Sequence, residues 1–258
     1  MKTNIHNLIK KGISTKTIGK RILYFKEIDS TMSYAKQKIE EKYPEGTVII
    51  AEQQTKGRGR LGKEWISLKD NLLFSILTTM QINKAAYLSI IASISIVRAL
   101  KKTIGITTTL KWPNDILIQN TKIGGILIEG YLNNAINWNI IGIGLNTNNS
   151  PNLKTQIPAN NLKTITGNQI NNSLIFSSIL HELDSLYTEL KNGIIPIEEW
   201  KNNLSTLGKK IIVNNEKEKL EGIAKDVDKD GQLIILKNDG RKIKIHSDEI
   251  IHQDLGLT

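Results

Sequence analysis

Two arginines stand two residues apart in Gly57-Arg-Gly-Arg-Leu-Gly62, in a chain whose arginines are otherwise only 21, 98 and 241. A guanidinium offers a flat fork of donors that suits carboxylate and phosphate oxygens, and glycines let backbone approach an anion closely. Trp65 follows, a flat ring for stacking on a purine or for covering a site. Further on, Lys111-Trp-Pro-Asn-Asp115 sets Asn114 and Asp115 among strong β-formers, with Asp115 directly before Ile-Leu-Ile. An Asn-Asp pair usually caps a turn, but a carboxylate opening a core strand is less ordinary. Lys122 precedes a glycine pair, Gly124-Gly125. Paired glycines in a strand mark close approach of a ligand or another backbone, whereas a lysine at a hairpin end is by default a solvated edge residue. The chemistry these types offer is the gripping of an anion by converging cations.

Taken literally, Gly57–Gly62 also matches the dinucleotide-binding pattern G-x-G-x-x-G. The context is wrong for it. The chain runs on through Trp65-Ile-Ser67 toward another strand, with no helix opening at the third glycine and no acidic residue about twenty positions later.

The elements that must position these residues follow from periodicity and punctuation. A helix is expected over Met32–Lys42, with Asp29, Ser30 and Thr31 as candidate caps, ended by Pro44 and Gly46. Thr47–Ala51 and Leu72–Thr79 read as strands and Ala85–Lys102 as a long amphipathic helix. Short β-like runs follow at Thr107–Lys111, Asp115–Gln119, Lys122–Glu129 and Asn137–Gly144, with Gln119–Thr121 as a hairpin turn. Links this short require antiparallel pairing. The fold class is therefore α+β, with a mixed, largely antiparallel sheet. Asn148–Asn172 reads as a long polar surface excursion, and helices return at Ser173–Lys191 and Ile197–Leu204. Beyond Gly208, the runs Lys210–Val213, Leu220–Asp226, Leu233–Lys237 and Lys242–His246 alternate with Asp-Gly turns, as in a small β-barrel. Residues 1–20 are thus expected to be a short extension, 21–206 the main domain and 207–258 the β-domain.

Composition excludes several classes of function. There is no cysteine, so thiol chemistry and disulfides are out, and the four histidines show no metal-ligand spacing. No apolar run approaches the roughly 20 residues that span a bilayer, and the basic N-terminus lacks the core of a signal peptide; a cytoplasmic protein is expected. The formal charge of +10 is spread from Lys2 to Lys244 without a dense run, unlike proteins that cluster charge to bind nucleic acid.

Taken in order, Asp29-Ser-Thr31, Gln54 through Gly57-Arg-Gly-Arg60 with Trp65, Lys111-Trp-Pro-Asn-Asp115, Lys122 with Gly124-Gly125, and Gly142-Ile-Gly-Leu-Asn146 resemble the motifs of the biotin protein ligases. The resemblance runs from about residue 20 to the end. It implies a catalytic domain of the biotin/lipoate ligase and class II aminoacyl-tRNA synthetase type, with an SH3-like C-terminal barrel. It also implies ATP, Mg²⁺ and biotin, the formation of biotinyl-adenylate, and transfer of biotin to a lysine of a biotin carboxyl carrier protein. By position, Ser30, Thr31, Gln54, Gly57, Arg58, Lys122 and Gly125 would bind biotin; Arg60, Trp65, Lys111, Asn114, Asp115 and Asn146 would bind ATP; Arg58, Arg60, Lys122 and Asp115 would act in catalysis. No metal cage made by protein alone is implied, only Asp115 through Mg²⁺.

Two departures stand out. Met32 replaces the family's usual asparagine, and Leu61-Gly-Lys63 makes the loop less charged than the common Arg-Gly-Arg. Repressor-type members carry a winged helix-turn-helix ahead of the catalytic domain, for which residues 1–20 are too few, so DNA binding is not expected; a homodimer is. The competing readings are a lipoate or octanoate ligase and, in a different class, a nucleic-acid-binding module.

Overall fold

The computed structural model describes residues 12–81, 85–151, 158–214, 219–245 and 249–252. Seven strands form one sheet: β1 (Ile22–Ile28), β2 (Val48–Gln54), β3 (Leu72–Thr79), β4 (Thr109–Lys111), β5 (Asp115–Ile118), β6 (Thr121–Asn133) and β7 (Ile136–Leu145). Their order is β1-β2-β3-β7-β6-β5-β4. β1 and β2 run parallel, joined through helix α1 (Thr31–Glu40), and the other neighbours are antiparallel. The expected mixed sheet is therefore present. β1 was not anticipated from sequence. Its residues alternate between two apolar environments, Ile22 and Tyr24 toward one core and Leu23 and Phe25 toward the other. A strand half-buried on both sides, running out into exposed Lys26 and Glu27, shows neither a period-2 alternation nor a continuous apolar run.

On one face pack helices α2 (Ala85–Ile104) and α4 (Asn172–Lys191). They bury Ile91, Ile94, Phe176 and Ile179 against Phe74, Ile76, Ile141 and Ile143, with Phe74 and Phe176 edge to face at 5.2 Å. On the other face lies α1, whose Met32, Ala35 and Ile39 meet Ile49, Leu77, Trp138 and Ile140. Gln119 and Asn120 both have positive φ (49° and 61°), as a tight two-residue hairpin turn requires.

The segment 148–172 departs from expectation. Asn148, Asn161 and Leu162 are buried, a short helix α3 spans Leu162–Thr166, and residues 158–160 run beside Lys122. Polarity misled here, because these asparagines satisfy one another and the backbone. The Asn71 Oδ1 accepts from the N–H groups of Thr147, Asn148 and Asn149, and Asn148 Oδ1 accepts from Ile170 N–H.

After helix α5 (Ile197–Asn203), a second antiparallel sheet has the order β11-β10-β9-β8-β12. Its strands are β8 (Lys210–Asn214), β9 (Lys219–Val227), β10 (Leu233–Leu236), β11 (Lys242–Ile245) and β12 (Glu249–His252). It docks onto the main domain. Tyr87 donates to Asp230 (2.8 Å) and Trp112 Nε1 donates to the Gly231 carbonyl (2.9 Å), while at the junction ahead of β8 Trp112 N–H donates to Thr206 (3.0 Å). Ahead of β1, the backbone N–H groups of Lys16, Thr17 and Ile18 converge on the Asp184 carboxylate. Among the described residues, no helix is long and apolar enough to cross a membrane.

Candidate active site

The face of the sheet that carries α1 is only partly filled by it, and the site occupies the remainder. At the inner end, Ser30 caps α1, its hydroxyl accepting from Ser33 N–H (3.4 Å). Thr31 donates from both its backbone N–H (2.7 Å) and its hydroxyl (2.9 Å) to Gln54 Oε1. The Ser75 hydroxyl donates to Thr31 Oγ1 (2.8 Å), and Gln54 Nε2 donates to Ser67 (3.3 Å). Ser30, Thr31 and Ser75 are buried, so this is a dry cluster of small donors and acceptors suited to a neutral polar group. Ser75 is a member that sequence reading missed. Its signal was faint: one hydroxyl inside the apolar run of β3.

Met32 packs its sulfur over Gly142, where an added Cβ would lie 2.5 Å from it. It joins the apolar core of α1 and is buried.

The glycine–arginine segment is a closed loop. Trp65 N–H donates to the Gly57 carbonyl (3.0 Å), Gly59 N–H donates to that of Lys63 (2.7 Å), and Arg58 bridges Glu64 through the backbone. Gly57 is required by space, since a Cβ would lie 2.2 Å from the Trp65 carbonyl oxygen. The loop makes a single 3-10 turn at Arg60–Gly62 and then continues in extended conformation, which disposes of the dinucleotide pattern. It lays the Trp65 indole over Gly144, whose Cβ would be 2.6 Å from the ring, and near Gly125. The indole N–H is buried there with no hydrogen-bond partner.

Around that indole the charged residues assemble. Lys122 Nζ lies 5.8 Å from the Trp65 ring centroid and 2.6 Å from Asp115 Oδ1. Arg60 donates to Asn114 Oδ1 (3.2 Å), and Asn114 is itself fixed by bonds with both the N–H and the carbonyl of Ile126. Lys111 is the backbone partner of Asp115 across the β4–β5 hairpin. The strand holding Lys122 is strapped at its outer side by Pro158 and Asn160, which bond its N–H and carbonyl (both 2.9 Å). Asn146 is buried beside Asn71 and donates its N–H to the Ile123 carbonyl (2.7 Å). Arg58 is the exception to the convergence. It is exposed and paired with Glu129, four residues along β6 from Gly125.

Among the described residues, no three His, Asp or Glu side chains gather as a metal cage. A single carboxylate, Asp115, with 19% of its side chain exposed, fits a Mg²⁺ that arrives on a triphosphate and keeps most of its ligands from phosphate and water.

The description "Biotin/lipoate A/B protein ligase family" matches residues 24–146, and "Biotin protein ligase C terminal domain" matches 206–252. The bifunctional ligase/repressor BirA of Bacillus subtilis (strain 168) is 30% identical over 251 residues, covering 94% of this chain and 77% of that protein. The chain belongs to the biotin protein ligase family. The biotin–[acetyl-CoA-carboxylase] ligase of Mycobacterium tuberculosis is 27% identical, with 81% of this chain and 79% of that one covered. The biotin protein ligase of Aquifex aeolicus, solved with biotin and ATP, superposes with a TM-score of 0.79 at 27% identity, covering 91% of this chain and all of that one. This ligase thus has the α+β catalytic fold and the small C-terminal β domain of its family.

Proposed function

We propose that the enzyme activates biotin with ATP and transfers it to a lysine of a biotin carboxyl carrier domain. In the first half-reaction a biotin carboxylate oxygen attacks the α-phosphorus of ATP, the bond to the β-phosphate bridging oxygen breaks and pyrophosphate leaves. In the second, the lysine nitrogen attacks the acyl carbon, loses a proton, and AMP departs. The observation that carries this reading is the meeting of Arg60–Asn114 and Lys122–Asp115 around a tryptophan laid on a glycine floor. Two anions repel as they approach, and preorganised cations in a water-poor site offset that repulsion in the transition state.

The placement of the side chains supports a role for each. The cluster of buried Ser30, Thr31 and Ser75 with half-buried Gln54 would receive the ureido end of biotin, with Gly57 admitting it closely. Lys122 and Arg60 would hold the biotin carboxylate and α-phosphate, joined by Arg58 once the loop closes. Trp65 would flank the adenine, and Asn114 and Lys111 would face phosphate. Asp115 would take one position on Mg²⁺, which neutralises phosphate charge, and orient the incoming amine. Gly125 and Asn146 shape the floor. The loop's own hydrogen bonds support its acting as a cover that keeps water from the mixed anhydride.

The match of the C-terminal region to the biotin ligase domain favours biotin over lipoate. We further propose a cytoplasmic homodimer, with the catalytic unit ending near residue 206 and the β-domain beginning at 207. Purified protein with ATP, Mg²⁺, biotin and a carrier domain should give a streptavidin-reactive band. Labelling with lipoate and none with biotin would overturn the assignment.

A further inference from the structure

Arg58 does not wait in solvent. Its guanidinium is ion-paired with Glu129 at 2.5 Å, and the second oxygen of that carboxylate accepts the Tyr131 hydroxyl. Side chains alternate along a strand, so Gly125, Leu127, Glu129 and Tyr131 share the face of β6 that carries the site. At ~3.3 Å per residue, Glu129 lies about 13 Å along the strand from the glycine floor. The carboxylate is the better-held partner, with 21% of its side chain exposed against 43% for Arg58. Tyr131 keeps it so. Burial first, and then the bond to Glu129, push that phenol up to about 12, so it remains a donor at neutral pH. Arg58, by contrast, rides on a loop tied mainly to itself. The partner Arg58 holds is also a chemical copy of the anion it would serve, a carboxylate.

We propose that Glu129 is a positioning residue for the 57–65 loop: it holds Arg58 in the ligand-free enzyme and yields it to the substrate's anion, so that loop closure follows binding. The proposal rests on the reading of Arg58 as an anion contact. Glu129 then opposes binding slightly while holding the Arg58 guanidinium along β6, away from the glycine floor.

The test is a cycle of Glu129→Gln and Arg58→Ala, singly and together, read by calorimetric titration with biotin and by ATP–pyrophosphate exchange. Glu129→Gln should tighten biotin binding by about 2- to 5-fold, the scale of a part-exposed ion pair, with kcat unchanged. Glu129→Ala should do the same, and Glu129→Asp should return the affinity toward wild type. In the Arg58→Ala background, Glu129→Gln should have no effect. Weaker binding by the same factor in both backgrounds, or unchanged binding with Arg58 present, would overturn the proposal while leaving Arg58 as an anion contact. Wild-type affinity and exchange in Arg58→Ala alone would instead remove that contact, and the proposal with it.

Discussion

Against one face of the seven-stranded sheet, two twenty-residue helices press isoleucine, leucine and phenylalanine into a continuous apolar core. Against the other, one ten-residue helix covers part of the surface, and glycines, serine, threonine and glutamine stand where bulk would otherwise be. The first face is filled by its own side chains, and the second holds room for something else. The difference teaches where to look for cost. On the filled face, a change is felt as lost stability. On the open face, it is felt as lost chemistry.

The sharpest way to break that division is Phe176→Ala, which removes the ring packed on Phe74. It should cost about 3–5 kcal/mol in denaturant unfolding, with exchange activity per folded molecule unchanged. Gly144→Ala is its counterpart on the open face. The new methyl must displace the Trp65 indole, and a misplacement near 1 Å costs up to about 100-fold in rate. Its stability should fall far less than that of Phe176→Ala. Equal loss of stability in both variants would mean that the faces do not differ in kind.

Smaller effects test the links between regions. Thr206→Val leaves the buried Trp112 N–H without its hydroxyl acceptor, a loss of about 1–3 kcal/mol measurable by unfolding, with a minor effect on exchange. On the filled side, burial pushes the Glu45 carboxyl up, but bonds from Lys191, Thr79 and Tyr187 outweigh it and hold the group below its ordinary value of 4.5. A depressed carboxyl contributes stability above its unfolded pKa and loses it as pH falls through the folded one. Unfolding midpoints taken from about pH 6 down to about pH 3 should therefore fall more steeply for wild type than for Glu45→Gln. Parallel curves would contradict this.

The fold was legible where a period or a composition stood out. The helices at Ala85 and Asn172 were so by their spacing, the strand Leu72–Thr79 as a near-continuous apolar run buried on both faces, and the hairpin at Gln119 by its short polar turn. β1 was not legible, because its half-buried residues face two apolar environments and end in exposed Lys26 and Glu27. Neither were the described parts of 148–172, whose asparagines are taken up by bonds with Asn71 and with the backbone. For the site, charged types and glycine spacing pointed to Arg60, Asn114, Asp115 and Lys122, which the fold brings together. Ser75 escaped, since a lone hydroxyl in a buried strand carries no pattern. So did the attachment of Arg58 to Glu129, because pairing across 71 positions leaves no local trace.

The central claim is that cations distant in sequence act jointly on a carboxylate and a nucleotide. It is tested most directly by biotin-dependent ATP–pyrophosphate exchange in Lys122→Ala and Arg60→Ala. Each should lose at least about 2–3 kcal/mol of transition-state stabilisation, the scale of one preorganised donor, with unfolding midpoints close to wild type. Exchange near the wild-type rate in both variants would contradict the account.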